Sequence, residues 1–251
     1  DFAAELNGAK QPPLNTQEKP AMFNSLYNWI ISDVTKLCYQ DCLQLFAPET
    51  KILDVGIGNG VMLQNYHHLI KEKDLQITGL DINLDYIKHC CKLIERYDLQ
   101  EQLQVLHKSV FNYCPAPEEK YDYVLFSMSF MLLPEQEKAL DQARSWLKPE
   151  GKVVFFQTMF QSRSPFLEFI KPKLKYLTSI DFGQVTYEDE FFQLLKKKGM
   201  ATCEDRLLQR KWFNGEYRVI VTQPEERSQR KFSHSRFGEE PATELWPASQ
   251  S

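Results

Sequence analysis

Residues 51–60, KILDVGIGNG, constrain the fold of this chain more than any other segment. Ile52, Leu53 and Val55 are typical of the end of a buried strand, and the alternate glycines that follow let the backbone turn sharply and approach a ligand. The next residues have helical spacing of apolar side chains, at Val61, Leu63, Tyr66, Leu69 and Ile70. A strand, a glycine turn and a helix in this order are found where open α/β sheets bind nucleotide-like ligands.

The spacing of the glycines indicates which kind of ligand to expect. A dinucleotide-binding turn, G-x-G-x-x-G, would need a third glycine at Val61, but that glycine is Gly60, and Asp54 stands two residues before Gly56. A second predicted strand, 76–80, ends in Asp81, at about the 20-residue separation from the glycines at which a carboxylate binds ribose hydroxyls. The spacing therefore favours a nucleoside-containing cofactor other than a dinucleotide.

The alternation of strands and helices continues beyond Asp81. Helical spacing at Leu84, Ile87, Cys91, Ile94 and Tyr97 leads to a predicted third strand at 103–106, and a fourth follows at 121–126. A helix, a turn at 148–151 and a fifth strand at 152–159 come next, then a helix at 187–198 and a hairpin at Asn214-Gly215. Five strands alternating with helices predict right-handed crossovers and one parallel sheet buried on both faces.

Two segments resemble a known family. ILDVGIGNG resembles motif I of the class I S-adenosylmethionine-dependent methyltransferases, (V/I/L)-L-(D/E)-x-G-x-G-x-G, at every specified position, and YDYVLFSMSF…WLKPEGKVVFF resembles the region of their fourth and fifth strands. The similarity covers about residues 50–160. It implies an α/β fold with a seven-stranded, mostly parallel, doubly wound sheet (Rossmann-like), an antiparallel C-terminal strand, N-terminal lid helices and a helical insertion after strand 5.

The resemblance also implies a site for S-adenosyl-L-methionine, with S-adenosyl-L-homocysteine as product and no metal. Asp81 would hold both ribose hydroxyls, and Ile82 would pack on the adenine. Ser109 or its backbone would take the place of the Asp that commonly binds the adenine amino group. The expected cofactor-binding residues are Asp54, Gly56, Gly58, Asn59, Gly60, Asp81, Ile82, Ser109, Val110 and Ser127.

The acceptor is expected to be a small molecule whose O, N or S atom takes the methyl group by in-line displacement. Phe126-Ser127-Met128-Ser129 lacks the Asn-Pro-Pro-Tyr type of signature found in methyltransferases of planar nitrogens. Positioning supplies most of the catalysis in such a transfer. Where a general base is needed, the candidates are Tyr27, Tyr39, Asp181, Tyr187, Glu188 and water. The residues expected to line the acceptor pocket are Tyr27, Met128, Phe160, Tyr176 and Tyr187, although these aromatic residues could instead extend the core.

Other functions are compatible with parts of this pattern. A non-catalytic S-adenosylmethionine-binding scaffold subunit would keep the fold, and a methyltransferase acting on a protein or RNA would keep the cofactor site. An aminopropyl transferase usually has acidic residues after the fourth strand, and Ser127-Met128-Ser129 supplies none. The glycine spacing argues against a nucleotide-dependent oxidoreductase.

Composition agrees with one globular domain. At 251 residues and 43% hydrophobic the chain can bury one core, and a net charge of −4 argues against a nucleic-acid partner. The apolar runs are too short for a membrane span, and the six cysteines have no zinc-site spacing, so reduced thiols in the cytoplasm are expected. The predicted domain is 21–223, with lid helices at 21–49, the cofactor-binding core at 50–160, a substrate-side insertion at 161–199 and the hairpin at 200–223. Residues 1–20 and 224–251 are expected to be disordered tails.

Overall fold

The computed structural model describes residues 35–161, 186–210 and 215–225, and these contain a seven-stranded sheet of order β3-β2-β1-β4-β5-β7-β6. Strands β1 to β5 pair in parallel, whereas β7 pairs antiparallel with both β5 and β6. The predicted doubly wound sheet with one antiparallel C-terminal strand is therefore confirmed. The strands are β1 Lys51–Val55, β2 Gln76–Asp81, β3 Leu103–His107, β4 Tyr121–Ser127, β5 Leu147–Phe160, β6 Met200–Arg210 and β7 Gly215–Pro224.

Helices cover both faces of this sheet. Residues 35–45 are helical (α1) and pack with α2 and α3 on one face, while α4 and α5 cover the other. Because both faces are covered, β1 and β7 are buried along nearly their whole length. No helix among the described residues is both long and apolar enough to cross a bilayer. The remaining helices are α2 Val61–Glu72, α3 Leu84–Arg96, α4 Gln136–Trp146 and α5 Glu188–Lys197, with 3₁₀ turns at Val110–Asn112 and Phe130–Leu132.

Strand β1 lies at the point where the sheet order reverses. It pairs with β2 on one side and with β4 on the other, and Asp54 aligns with Gly79 and Leu125. The chain thus winds from β1 through β2 to β3, and then crosses to β4 on the opposite side of β1. The carboxyl ends of β1, β2 and β4 therefore meet at the topological switch point, where ligands bind in open α/β sheets.

Helix α1 is fixed against the sheet at its C-terminal end. The Lys73 ammonium group donates to the backbone carbonyls of Leu43, Gln44 and Phe46, at 2.7, 3.0 and 2.7 Å. These carbonyls belong to the last turn of α1 and the residue after it, where helices lack internal hydrogen-bond partners. The Phe46 ring also packs on Tyr123 of β4, with ring centroids 4.6 Å apart.

Two local predictions were wrong. The predicted turn at 148–151 lies inside β5, because Tyr121 pairs with Leu147 while Tyr123 pairs with Lys152, so the extra residues form a bulge in a continuous strand. On α3, Cys90 is buried and Cys91 is exposed, contrary to the predicted inward position of Cys91. The apolar face of α3 is centred on Ile87, Cys90, Leu93 and Ile94, and Gly60 packs against it.

Some predicted features fall outside the described residues. These are the N-terminal segment 21–34, the greater part of the insertion after β5 (162–185), the hairpin turn at 211–214 and most of both predicted tails. At the C-terminal boundary, Pro224 is still part of β7, and the Glu225 N–H donates to the Gly199 carbonyl at 2.9 Å. Pro224 and Glu225, which were assigned to the predicted tail, therefore belong to the folded domain.

Candidate functional site

The glycine turn after β1 is held against the end of β2. The backbone N–H groups of Gly56 and Ile57 both donate to the Leu80 carbonyl, at 2.8 and 3.0 Å. Gly58, at the centre of the turn, has φ of 65°, and a Cβ placed there would have no protein atom within 4 Å. The turn thus leaves open space beside Gly58, which a ligand can approach closely.

The other two glycines are required by protein contacts. A Cβ at Gly56 would lie 2.6 Å from the Cβ of Ser129, and a Cβ at Gly60 would lie 2.6 Å from Leu93 Cδ1. The Cys90 thiol, also on α3, donates to the Gly58 carbonyl at 3.4 Å. Burial raises the pKa of Cys90 to about 12, so the thiol keeps the proton that it donates. Gly60 is therefore explained by the packing of the turn on α3 and not by space for a ligand.

Asp81 ends β2 with its carboxylate held by two backbone donors. Its Oδ2 accepts from the Gly58 N–H at 2.9 Å, and its Oδ1 accepts from the Asn83 N–H at 2.8 Å. Asn83 in turn caps α3 by accepting from the Asp85 N–H at 2.9 Å. Each carboxylate oxygen can accept more than one hydrogen bond. The arrangement orients Asp81 rigidly and leaves both oxygens able to accept from two adjacent hydroxyls.

A cavity of about 310 Å³ opens beside Asp81. This volume is at the lower end of the range of small-molecule pockets, roughly 300–1,000 Å³, and suits a nucleoside-sized group. Ile82 stands at the cavity with 74% of its surface exposed, which is unusual for a large apolar side chain. The lining residues are Val55, Gly56, Leu80, Asp81, Ile82, Lys108, Ser109, Val110, Phe111, Ser129, Leu132, Leu133 and Pro134.

The structure brings half of the predicted cofactor-binding residues to this cavity. Those that line it are Gly56, Asp81, Ile82, Ser109 and Val110.

The remaining predicted residues take different positions. Asn59 is exposed on the glycine turn, and Asp54 and Ser127 are buried at the ends of β1 and β4.

Ser109 lines the cavity and also caps the 3₁₀ turn after β3, because its hydroxyl accepts from the Phe111 N–H at 3.2 Å. One of its two lone pairs is thereby committed before any adenine amino group is bound.

The sequence-based prediction did not include the segment after β4 as part of this cavity. The buried Ser129 hydroxyl donates to the Val55 carbonyl, which ties that segment to the glycine turn. Leu132, Leu133 and Pro134 follow and supply one wall of the cavity. The signal available in the sequence was an apolar run ending in proline directly after a strand.

Asp54 is fully buried beneath the glycine turn. Its Oδ2 accepts from the Tyr39 hydroxyl of α1 at 3.1 Å, while its Oδ1 has no hydrogen-bond partner. Burial raises the pKa of Asp54 to about 7, the Tyr39 hydrogen bond opposes this rise, and the charge of Asp81 adds to it. A buried carboxylate with an unfilled acceptor fits a cationic ligand group, because an unpaired buried charge is costly.

The expected acceptor side lies at the ends of β4 and β5. Ser127 Oγ is 3.6 Å from the Cys38 Sγ of α1. Met128 has φ of 56° and donates its N–H to the Phe156 carbonyl at 2.8 Å, and a left-handed residue other than glycine is typical of functional loops. Phe160 and Tyr187 are bridge partners and are both buried. Tyr27 and Tyr176 lie outside the described residues.

Two of the proposed general bases are already engaged. The Tyr39 hydroxyl donates to Asp54, and burial raises the pKa of Tyr39 further. Glu188 forms an ion pair with Arg218 at 2.9 Å. Tyr27 and Asp181 are not among the described residues. Across 35–161, 186–210 and 215–225, no group of three or more His, Cys, Asp or Glu side chains is arranged to hold a metal ion.

Comparisons with known proteins cover the region of the chain that contains this cavity. Residues 52–151 match the family model of a methyltransferase domain, which includes the glycine turn, Asp81 and β4. This part of the chain is therefore similar to methyltransferase domains. The matched residues lie within the predicted cofactor-binding core of 50–160.

Proteins similar to this chain carry several different names. It is 30% identical over 133 residues to the ubiquinone/menaquinone biosynthesis C-methyltransferase UbiE of Wigglesworthia glossinidia brevipalpis, covering 53% of this chain and 48% of that protein. It is 29% identical over 144 residues to the malonyl-[acyl-carrier protein] O-methyltransferase 2 of Ilyobacter polytropus, covering 54% and 52%. The chain thus spans about half the length of these relatives.

A solved structure shows the same fold. An S-adenosylmethionine-dependent methyltransferase from Aquifex aeolicus superposes with a TM-score of 0.56 at 18% identity, covering 76% of this chain and 92% of that one. At this identity the likeness establishes the fold of this chain alone.

Proposed function

We propose that this chain is an S-adenosylmethionine-dependent methyltransferase that moves a methyl group by in-line displacement to an O, N or S nucleophile of a small molecule. The observation that carries the proposal is the carboxylate of Asp81, held by the N–H groups of Gly58 and Asn83 at the mouth of an apolar cavity. An oriented carboxylate beside a nucleoside-sized cavity is what a ribose with an attached base requires.

The residues present fit the whole cofactor. The apolar cavity with Ile82 would hold the adenine, and Asp81 would hold the ribose hydroxyls. The open space at Gly58 and the unpaired oxygen of Asp54 would receive the methionine part with its ammonium group. When bound, S-adenosylmethionine supplies a methyl group already activated by its sulfonium, so the protein has mainly to position the acceptor and exclude water.

The acceptor is proposed to be a small molecule, and several observations support this. The names of the two relatives refer to C- and O-methylation, so proteins similar to this chain differ in their acceptors. The segment after β4 lacks an Asn-Pro-Pro-Tyr signature, and Phe160 and Tyr187 are buried together at the end of β5. The six free cysteines support a reducing compartment such as the cytoplasm.

Cofactor binding is tested first. The purified chain is examined by native mass spectrometry for a co-purified nucleoside and titrated calorimetrically with S-adenosylhomocysteine and with NAD. We expect binding of S-adenosylhomocysteine and none of NAD. Binding of NAD alone, or of neither ligand by folded protein, would contradict the proposal.

Catalysis is tested with methyl-labelled S-adenosylmethionine and three separate acceptor pools of metabolites, RNA and protein. Label transfer to the metabolite pool alone is the expected result. Transfer to RNA or protein would overturn the small-molecule acceptor but leave the cofactor site intact. Cofactor binding with no transfer to any pool would favour the non-catalytic scaffold.

The pocket residues are tested once an acceptor is known. Tyr27→Phe and Tyr187→Phe each remove one hydroxyl while keeping the ring. If these residues line the acceptor pocket, turnover falls while S-adenosylhomocysteine affinity and melting temperature stay unchanged. Unchanged turnover in both variants would mean that the two rings only extend the core.

A further inference from the structure

One buried hydrogen bond joins the cofactor site to a helix outside the methyltransferase motifs. Tyr39 lies on α1, and its hydroxyl donates to Asp54 Oδ2 at 3.1 Å. Both side chains are buried, with exposed fractions of 2% and 0%. Because this bond occupies Oδ2, the oxygen of Asp54 without a partner is Oδ1.

The bond has a fixed geometry because α1 is anchored at several points. Besides the contacts of Lys73 with its C-terminal carbonyls, Arg206 of β6 pairs with Asp41 at 2.8 Å. On the preceding turn, the Tyr66 hydroxyl of α2 donates to the Lys36 carbonyl at 2.9 Å. Tyr39 therefore approaches Asp54 from a rigid element.

The electrostatic surroundings of Asp54 give this bond its importance. Burial favours the neutral acid, and the negative charge of Asp81 after β2 acts in the same direction, so both raise the pKa of Asp54. Cys38 of α1 and Cys90 of α3 also face Asp54, and their pKa values are raised, so they bring no charge near neutral pH. The Tyr39 hydroxyl is the group found to favour the ionised form.

We propose that Tyr39 is a positioning residue that keeps Asp54 ionised and oriented so that its Oδ1 binds the ammonium group of the cofactor. This rests on the proposed function, because the ammonium group belongs to the methionine part of S-adenosylmethionine. Tyr39 thereby sets the pH range in which the cofactor binds well.

The sign of the effect follows from the hydrogen bond. Removing the hydroxyl leaves the ionised form of Asp54 without its donor, so the pKa of Asp54 rises further above about 7. A hydrogen bond to a charged group corresponds to about one pKa unit or more. At pH 7 the ionised fraction of Asp54 would then fall about fivefold, whereas at pH 8.5 it would change by less than about twofold.

The test is calorimetric titration with S-adenosylhomocysteine at pH 6, 7 and 8.5 on the wild type, Tyr39→Phe and the control Tyr66→Phe. The control also removes a tyrosine hydroxyl that contacts α1, but not the one bonded to Asp54. Affinities are compared with the wild type at each pH, since the amino group of the ligand titrates identically for every variant. We expect Tyr39→Phe to bind about fivefold more weakly at pH 7 and nearly normally at pH 8.5, while Tyr66→Phe follows the wild type throughout.

Different failures have different meanings. A loss of affinity in Tyr39→Phe that is equal at all three pH values, or no loss at all, overturns the role of Tyr39. Absence of binding by the folded wild type overturns the proposed function itself. Asp54→Asn gives an independent check. Once the titration of the ligand's amino group is accounted for, the affinity of Asp54→Asn for S-adenosylhomocysteine should not rise between pH 6 and 8.5. The double variant Asp54→Asn with Tyr39→Phe should show the same pH dependence as Asp54→Asn alone. A rise that persists in Asp54→Asn would assign the titration to another group and refute the proposal.

Discussion

Replacing Gly58 by alanine should separate cofactor binding from folding. The added Cβ would have no protein atom within 4 Å, so the folded protein has room for it. The residue must still adopt φ of 65°, which costs a side-chain-bearing residue about 1–2 kcal/mol. For a domain of this size that lowers the melting temperature by about 2–8 °C. The methyl group would, however, occupy the space assigned to the cofactor, and overpacking costs about 1–3 kcal/mol.

Gly60→Ala is the matched control, because it changes the same turn two residues away. Its φ is 79°, and the new Cβ would lie 2.6 Å from Leu93 Cδ1 and 3.2 Å from Cys90 Sγ. Backbone strain and the collision with α3 should together destabilise the fold by about 2–5 kcal/mol. Gly60→Ala should therefore lose stability, whereas Gly58→Ala should lose mainly affinity.

The assay pairs thermal unfolding with calorimetric titration by S-adenosylhomocysteine. Gly58→Ala should melt about 2–8 °C below the wild type and bind at least about tenfold more weakly, equivalent to about 1.4 kcal/mol. If folded Gly58→Ala binds with wild-type affinity, the cofactor does not approach the turn at Gly58. If Gly60→Ala is as stable as the wild type, the packing role assigned to Gly60 is incorrect.

Three further predictions concern single side chains. Asp81→Ala removes the carboxylate assigned to the ribose, so S-adenosylhomocysteine affinity should fall at least about tenfold in calorimetry; normal binding would rule out Asp81 as the ribose ligand. Folding raises the pKa of Asp54 from 3.8 to about 7. Between pH 3.8 and about 7 the Asp54 carboxyl is therefore protonated in the folded state and ionised in the unfolded state. The contribution of Asp54 to the free energy of unfolding accordingly falls as the pH rises through this range. The melting temperature of Asp54→Asn relative to that of the wild type should therefore rise between pH 5 and 7 and stay constant above about pH 7. A difference in melting temperature that does not change with pH would contradict the raised pKa. Ser129→Ala leaves the Val55 carbonyl without its buried donor and should cost about 1–3 kcal/mol in denaturant unfolding, and an unchanged midpoint would show that another donor replaces it.

The α/β alternation and the glycine turn at the switch point follow from local sequence patterns. The apolar strand that runs into the glycine turn predicts β1, and the acid at Asp81 predicts the end of β2, because both patterns depend only on near neighbours in the chain. Right-handed crossovers then restrict the sheet to few arrangements. The hairpin signal of Asn214-Gly215 predicted the pairing of the last two strands, and the family resemblance implied that one of them is antiparallel.

The predictions that were wrong concern residues whose environment is set by another element. Pro149 and Gly151 are typical of a turn, yet they lie in β5 because the ladder with β4 continues on both sides of the bulge. Cys90 and Cys91 are chemically identical neighbours. Which of them is buried depends on the rotation of α3 against Gly60, and helical spacing alone defines that rotation only to within about one residue.

The sequence by itself therefore determined the α/β class, the switch point after β1 and the positions of Asp54 and Asp81 at the ends of β1 and β2. Only the tertiary structure showed that Gly56 and Gly60 serve packing while Gly58 faces open space, and that Tyr39 supplies the hydrogen bond to Asp54. The physical reason is distance along the chain. Turns and periodicities are encoded by adjacent residues, whereas the contacts of Gly56 with Ser129 and of Asp54 with Tyr39 exist only after β4 and α1 have packed around β1.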